Sequence, residues 1–418
     1  MNLLRIKNRK EVFYWALYDF ANQPFSTIII TFIYSTFFVN VIANDPSSGT
    51  ILWTNSIAIT AVIAALLSPI LGAIADNGGY RKFFLVLFTY VTALFSILLY
   101  FPQEGDVFLA LTLFIIANVS FEIATVFYNS YLLDLSNKEN SGSISGFAWG
   151  LGFFGGLIAL FISLLLFPEL DPHSIRKINV LVGLWFLIFS IPTILFLKDR
   201  KKERFRKTNL LNSFSTIKKT IKTVSKYKII SGFLLARLFF NDALVTIFAL
   251  GGVYAVGTIG FTFSEVMQLG IVLNIAAGIG AFFFGYFEDK IGVKNVINIT
   301  LIVLIFAVLI AIYAPETSYD KELFWLAGVL IGLMVGPNQS CSRSLMARLT
   351  PKEKRNEFFG FFALTGKATS FVGPLLFGIV TSLYNQQAAL WVVVLLFVLG
   401  FFLFSRIKFN LLDSQNEI

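Results

Sequence analysis

The chain alternates long apolar runs with short polar segments. A helix that crosses the hydrocarbon core of a bilayer needs about 20 mostly apolar residues. Runs of this kind predict twelve membrane-spanning helices, spans 1 to 12, near 15–42, 51–75, 83–101, 107–133, 144–168, 178–197, 229–256, 265–287, 294–314, 323–347, 358–383 and 388–406. Spans 1 and 7 are long enough to tilt or bend within the membrane.

The composition also favours a membrane protein. Of the 418 residues, 56% are hydrophobic and 14% are charged, whereas about a quarter of the residues in a soluble domain are charged. The net charge of +9 does not indicate a nucleic-acid partner, because 27 of the 33 Lys and Arg residues fall on the side of the two termini. Such loops are cytoplasmic. We therefore expect a multi-pass protein among the lipids of a bacterial inner (plasma) membrane, with both termini cytoplasmic.

The longest polar segment divides the chain nearly in half. We expect a six-helix bundle over residues 1–197, a basic cytoplasmic linker over 198–228 and a second six-helix bundle over 229–418. The linker is either a solvated segment whose charges fix the orientation or, over 210–228, a basic amphipathic helix on anionic lipid.

The two halves share a motif. Span 2 ends in GAIADNGGYRK (72–82) and span 8 ends in GYFEDKIGVKN (285–295). The repeat predicts two halves related by an axis along the membrane normal. We expect Asp76 either to pair with Arg81 or to lie against the N-terminus of a neighbouring helix, where anions are stabilised. The gating residues predicted from the motif are Gly72, Asp76, Arg81, Asp289 and Lys294.

This G-x-x-x-D-x-x-G-x-[RK] motif resembles the hallmark of the major facilitator superfamily. Three further stretches resemble the vacuole-effluxer-like branch, which includes the autophagy-related vacuolar amino-acid effluxers: WALYDFANQPFSTII (15–29), GPNQSCSRSLMARLTP (336–351) and FFGFFALTGKATSFVGPLLFG (358–378). The resemblance implies an all-α membrane protein whose twelve helices form two pseudo-symmetric six-helix bundles. It also implies a cavity lined by spans 1, 4, 7 and 10, and a small polar substrate such as an amino acid.

Polar residues are concentrated in those same four spans, whereas spans 3, 6, 9 and 12 carry almost no charge. A polar residue inside a span usually faces a cavity or a polar partner. With one residue added from span 11, the candidates for contact with substrate or ion are Asp19, Asn22, Gln23, Asn118, Glu122, Arg237, Asn241, Asp242, Asn338, Gln339, Arg343 and Lys367.

Each candidate has a structural alternative. The three carboxylates either bind an ion or form buried ion pairs with the three cations, and the amides are often helix–helix hydrogen-bond partners. Arg343 alternatively extends to the membrane surface, and Lys367 either neutralises a carboxylate or contacts the substrate. Asp242 is the first choice for a proton carrier because it lies near the midplane and no span contains a histidine. An ion pair with Arg237 would remove it from that role.

No enzyme motif accompanies these residues. The chain has no Gly-x-Ser-x-Gly and no phosphate-binding loop, and it holds one cysteine and one histidine. We therefore expect no enzymatic activity, no cofactor and no metal. The sequence predicts a secondary transporter that works by alternating access, with proton coupling, Na⁺ coupling and facilitated diffusion left open. The alternatives are an exporter of amphiphilic compounds and a membrane receptor or scaffold that does not transport.

Overall fold

The computed structural model describes residues 9–43, 45–169, 171–198, 226–367 and 369–409. The amphipathic helix predicted over 210–228 lies almost wholly outside the described residues. The division into two bundles and a linker stays a prediction.

Twelve helices in the described part of the chain are long and apolar enough to cross a membrane, which confirms the predicted all-α architecture. In chain order they are α1 (Arg9–Ile42), α2 (Ser48–Gly78), α3 (Arg81–Leu98), α4 (Val107–Leu135), α5 (Ser141–Leu166), α6 (Pro172–Phe196), α7 (Lys228–Gly257), α8 (Glu265–Ile291), α9 (Val293–Glu316), α10 (Asp320–Leu349), α11 (Lys352–Leu383) and α12 (Gln386–Ser405). Because the chain crosses an even number of times, α1 begins and α12 ends on one side, which we call the terminal face.

Two of these helices are irregular. Helix α1 widens into π-helical turns over Phe25–Phe32, directly after Pro24, and again over Phe38–Ile42. Pro24 has no backbone N–H to donate, so the regular hydrogen-bond ladder changes there. Helix α11 consists of two segments, Arg355–Lys367 and Val372–Leu383. Helix α7, the other long span, is one continuous helix.

Glycines bring the two halves into close contact at two places. At the contact of α2 with α11, a Cβ on Gly72 would lie 2.4 Å from the backbone oxygen of Asn356. At the contact of α5 with α8, a Cβ on Gly146 would lie 2.7 Å from Cα of Gly285. Gly72 and Gly285 are repeat partners in the sequence, so the same motif forms both contacts.

Candidate substrate site and gate

An ion pair joins the two halves deep in the molecule. Lys367 Nζ on α11 lies 2.8 Å from Glu122 Oε1 on α4, and the two side chains are 37% and 16% exposed. This pair stays partly accessible, unlike the fully enclosed polar groups around it. Lys367 is therefore paired with a carboxylate in this structure, and its contact with a substrate stays a prediction.

Polar side chains of α7 and α10 hold the segment of α11 that ends at Lys367. Arg237 donates from Nη1 to the backbone oxygen of Phe362 at 2.7 Å, and its guanidinium lies 3.7 Å from the centre of the Phe362 ring. Asn241 donates to the backbone oxygen of Gly366 at 2.9 Å and accepts from Gln339 at 3.2 Å. Arg237 and the Asn241–Gln339 pair therefore both hold the backbone of the α11 segment that ends at Lys367.

Asp242 lies apart from that cluster. Its Oδ2 accepts from the backbone N–H of Gly373, at the start of the second segment of α11, at 3.0 Å. Its Oδ1 is buried and has no hydrogen-bond partner, and Asp242 forms no ion pair with any described residue. The ion pair with Arg237 that the sequence left open is therefore absent.

Arg343 is the centre of a second contact between the halves. Its side chain is 2% exposed, so the alternative in which it extends to the membrane surface is wrong. From α10 it donates to Asp19 at 2.9 Å, to Asn129 at 3.2 Å, and to the hydroxyl and backbone oxygen of Ser145 at 2.9 and 2.8 Å. Aromatic rings of the N-terminal half surround the guanidinium, namely those of Trp15, Tyr128 and Trp149. One cation thus ties α10 to α1, α4 and α5.

The two motif aspartates have equivalent positions on the terminal face. Asp76 accepts from the backbone N–H of Asn356 at 3.2 Å and of Glu357 at 2.8 Å, at the N-terminus of α11. Asp289 accepts from the backbone N–H of Gly142 at 3.0 Å and of Ser143 at 2.8 Å, at the N-terminus of α5. Each carboxylate therefore caps a helix of the opposite half, which is the second of the two arrangements considered for Asp76.

The cations of the motif have different partners from those expected. Arg81 forms an ion pair with Asp134 at 2.8 Å. Lys294 donates to the backbone oxygen of Ile407 at 2.7 Å, just beyond the end of α12. In the first half Lys82 makes the corresponding contact: it donates to the backbone oxygen of Leu197, just beyond the end of α6, at 2.8 Å. Lys82, one residue after Arg81, therefore makes in the first half the kind of contact that Lys294 makes in the second.

Four predicted residues do not join these contacts. Asn338 donates to Thr300 on α9 at 3.0 Å and is fully buried, so it links two helices of one half. Asn118 is buried with its Oδ1 unpaired, and Asn22 is buried on α1. Gln23 packs against Gly156 of α5. Asn338 and Gln23 thus contact neighbouring helices, and a substrate or ion contact for all four residues stays a prediction.

Two charged residues of the gate were not among the candidates. Arg348 donates from Nη2 to Glu288 Oε1 at 2.9 Å and to Asp289 Oδ1 at 3.0 Å. Glu288 is completely buried, and Ser344 donates to its Oε1. The sequence feature that could have identified Glu288 is its position one residue before the motif aspartate Asp289, within the last turns of α8. Arg348 lies five residues after Arg343 on the same helix.

The helices and contacts described above define a transporter of the major facilitator superfamily. The fold is similar to that of the proton:xylose symporter XylE, with a TM-score of 0.74 at 12% identity over 94% of each chain. It is also similar to FucP in the outward conformation, with a TM-score of 0.73 at 14% identity over 97% of this chain and 99% of that one.

Sequence relatives narrow the class to a family. The chain belongs to the vacuole effluxer Atg22-like family, whose pattern it matches over residues 46–411. It is 29% identical to the uncharacterized MFS-type transporter YxiO of Bacillus subtilis, over 92% of each chain. It is 24% identical to autophagy-related protein 22 of Pichia angusta, over 83% of this chain and 72% of that protein.

Proposed function

We propose that this protein is a secondary transporter of a small zwitterionic solute, such as an amino acid, which binds at the Glu122–Lys367 pair. The observation that carries the proposal is that this pair is partly exposed and joins the two halves with opposite charges 2.8 Å apart. An α-ammonium group suits Glu122 and an α-carboxylate suits Lys367. A solute that inserts between Glu122 and Lys367 replaces their ion pair with two new ones, one to each side chain.

The polar contacts between the halves support a state that is closed at the terminal face. Asp19 pairs with Arg343, Asp76 caps α11 and Asp289 caps α5, all near the helix ends on that face. By the positive-inside rule the terminal face is cytoplasmic. We therefore propose that the structure is an outward-facing state in a bacterial inner membrane, and that the halves rock about the Glu122–Lys367 level during alternating access.

Flux through proteoliposomes tests the substrate proposal. We expect the reconstituted protein to exchange at least one radiolabelled amino acid from a panel. The matching amino alcohol lacks the carboxylate and the N-acetylated form lacks the ammonium group, so each should compete at least about tenfold more weakly, which corresponds to 1.4 kcal/mol per lost charge contact. The single variants Glu122→Gln and Lys367→Met should lose exchange, and the charge-swapped double variant should regain part of it. If both neutralised analogues compete as well as the zwitterion, the pair is not the binding site.

We further propose that Asp242 carries a coupling proton. Among the three intramembrane carboxylates predicted as carriers, Asp19 and Glu122 are held by Arg343 and Lys367, whereas Asp242 has a buried oxygen and no cation. A buried carboxylate without a cation gains free energy by binding a proton.

Asp242→Asn should abolish uphill uptake driven by a pH gradient and leave substrate exchange intact, because exchange needs no net proton movement. If the mutant still accumulates substrate against its gradient, Asp242 is not the proton carrier. If no pH gradient drives uptake by the wild type, the transporter is not proton-coupled. The proposal of a zwitterionic substrate is tested separately, by the exchange assay.

A further inference from the structure

Two carboxylates and one guanidinium meet at the closed gate, and their hydrogen bonds are unequally distributed. Both oxygens of Asp289 are satisfied, since Oδ1 accepts from Gly142 and Arg348, and Oδ2 accepts from the N–H and hydroxyl of Ser143. Charge-assisted bonds of this kind at a helix N-terminus favour the ionised form. Both oxygens of Asp289 are therefore well supplied with donors.

Glu288 is less well supported. Its Oε1 shares Arg348 Nη2 with Asp289 and also accepts from Ser344, but its Oε2 is buried and has no hydrogen-bond partner. Ionising Glu288 as well would put two carboxylates on one guanidinium and leave a charge on a completely buried carboxyl group, which costs several kcal/mol. A proton on Glu288 removes that charge.

The opposite half covers this carboxyl group. A Cβ added to Gly142, at the start of α5, would lie 2.6 Å from Cδ of Glu288, so the backbone of α5 rests directly on it. When the terminal face opens, α5 and α8 separate there and Glu288 becomes hydrated. Hydration removes the penalty on its ionised form.

We propose that Glu288 is a gating proton site: it binds a proton from the terminal side when α5 closes onto α8 and releases it when they separate. This goes beyond the proposed function, because it concerns the equilibrium of the gate without substrate. Since the closed state holds one proton more than the open state, acid favours closure and alkali favours opening.

The other titratable and charged groups around Glu288 are accounted for. Arg348 and the Cys341 thiol face it from α10, and Asp289 adjoins it on α8. Helix α5 presents Ser141, Gly142 and Ser143, none of which titrates, and Lys138 and Glu139 stand in the loop that precedes it. Of these groups, Asp289 and Arg348 form an ion pair at 3.0 Å.

The test is the ratio of open to closed protein as a function of pH. Spin labels at Glu139→Cys and Glu353→Cys, exposed repeat partners on the two halves, report the width of the terminal face by electron–electron distance measurement in lipid nanodiscs. The native Cys341 is buried, and a sample without introduced cysteines checks that it takes up no label. The pH is varied from about 5 to about 9.

In the wild type, the open-to-closed ratio should rise by up to about tenfold per pH unit over part of this range, the limit for one proton. Glu288→Gln, which resembles the protonated acid, should stay closed with no pH dependence. Asp76→Asn is the matched control, because it weakens the other contact between the halves, that of α2 with α11. It should open the gate while the open-to-closed ratio still depends on pH. The proposal is overturned if the open-to-closed ratio of the wild type does not change with pH. It is also overturned if the ratio of Glu288→Gln changes with pH as the wild-type ratio does.

A second measurement does not depend on that variant. Infrared difference spectra of the wild type between acid and alkaline pH should contain the carbonyl stretch of a buried protonated acid. Cys341→Ser should shift this band, because a hydroxyl group hydrogen-bonds more strongly than a thiol beside the carboxyl group. An absent band, or a band that Cys341→Ser leaves unmoved, contradicts a protonated Glu288.

Discussion

Replacing Asp76 with asparagine removes one charge from the contact between α2 and α11. Asp76 accepts three hydrogen bonds there, from Asn356 N at 3.2 Å, Asn356 Nδ2 at 2.8 Å and Glu357 N at 2.8 Å. The asparagine amide keeps one acceptor oxygen and turns an NH₂ group toward a donor. The lost charge–dipole attraction and the weaker bonds together amount to about 2–3 kcal/mol.

This free energy belongs only to the closed state, because Asp76 and α11 separate when the terminal face opens. At 1.4 kcal/mol per factor of ten, the open-to-closed ratio should rise by about 30- to 150-fold. The distance measurement between Glu139→Cys and Glu353→Cys reports that ratio, and turnover in proteoliposomes should fall because the outward-facing state becomes rare.

The control is Asp171→Asn. Asp171 caps the N-terminus of α6 from directly before that helix, through Ser174 N at 3.3 Å, so its contact lies within one half. It should lose helix stability without a change in gate equilibrium. If Asp76→Asn shifts the ratio no more than Asp171→Asn does, the cap on α11 does not hold the gate.

Two further predictions concern the centre of the interface and the helix contacts. Arg343→Lys should favour the open state by about 10- to 100-fold, because one ammonium group cannot reproduce a guanidinium that donates to Asp19, Asn129 and Ser145 at once; an unchanged distance distribution would contradict this. Gly336→Ala should lower thermal stability by about 1–3 kcal/mol, since its Cβ would lie 2.0 Å from the backbone oxygen of Ala277, whereas Gly378→Ala, with nothing within 4 Å, should be neutral or stabilising. Equal melting temperatures for the two alanine variants would refute this packing argument.

The helices and the repeat were predictable from the sequence. Apolar runs of membrane length define spans because backbone polar groups in lipid must be satisfied within each helix. The repeat likewise placed Asp76 and Asp289 at matching helix ends, and both cap a helix of the opposite half. Local sequence was sufficient for the helices and for the positions of the two aspartates, because these depend on residues within one helix and its adjoining turn. The caps on the opposite half are tertiary contacts.

The partners of the buried charges depended on the tertiary structure. Helical periodicity put polar residues on common faces, but it left three carboxylates and three cations with several possible pairings. Arg343 pairs with Asp19 across 324 positions of sequence, and Lys367 pairs with Glu122. Arg237 donates to a backbone oxygen and a threonine hydroxyl instead of a carboxylate.

The environment of Glu288 also depended on the tertiary structure. It lies beside a recognised motif residue, yet only the approach of α5 buries it and leaves it to share one guanidinium with Asp289. The sequence by itself determined which residues lie on which helix and at what depth. Which charges are paired, covered or left with an unsatisfied oxygen was decided by packing between helices, because ion pairing requires contact within about 4 Å and that contact is fixed only when the halves close together.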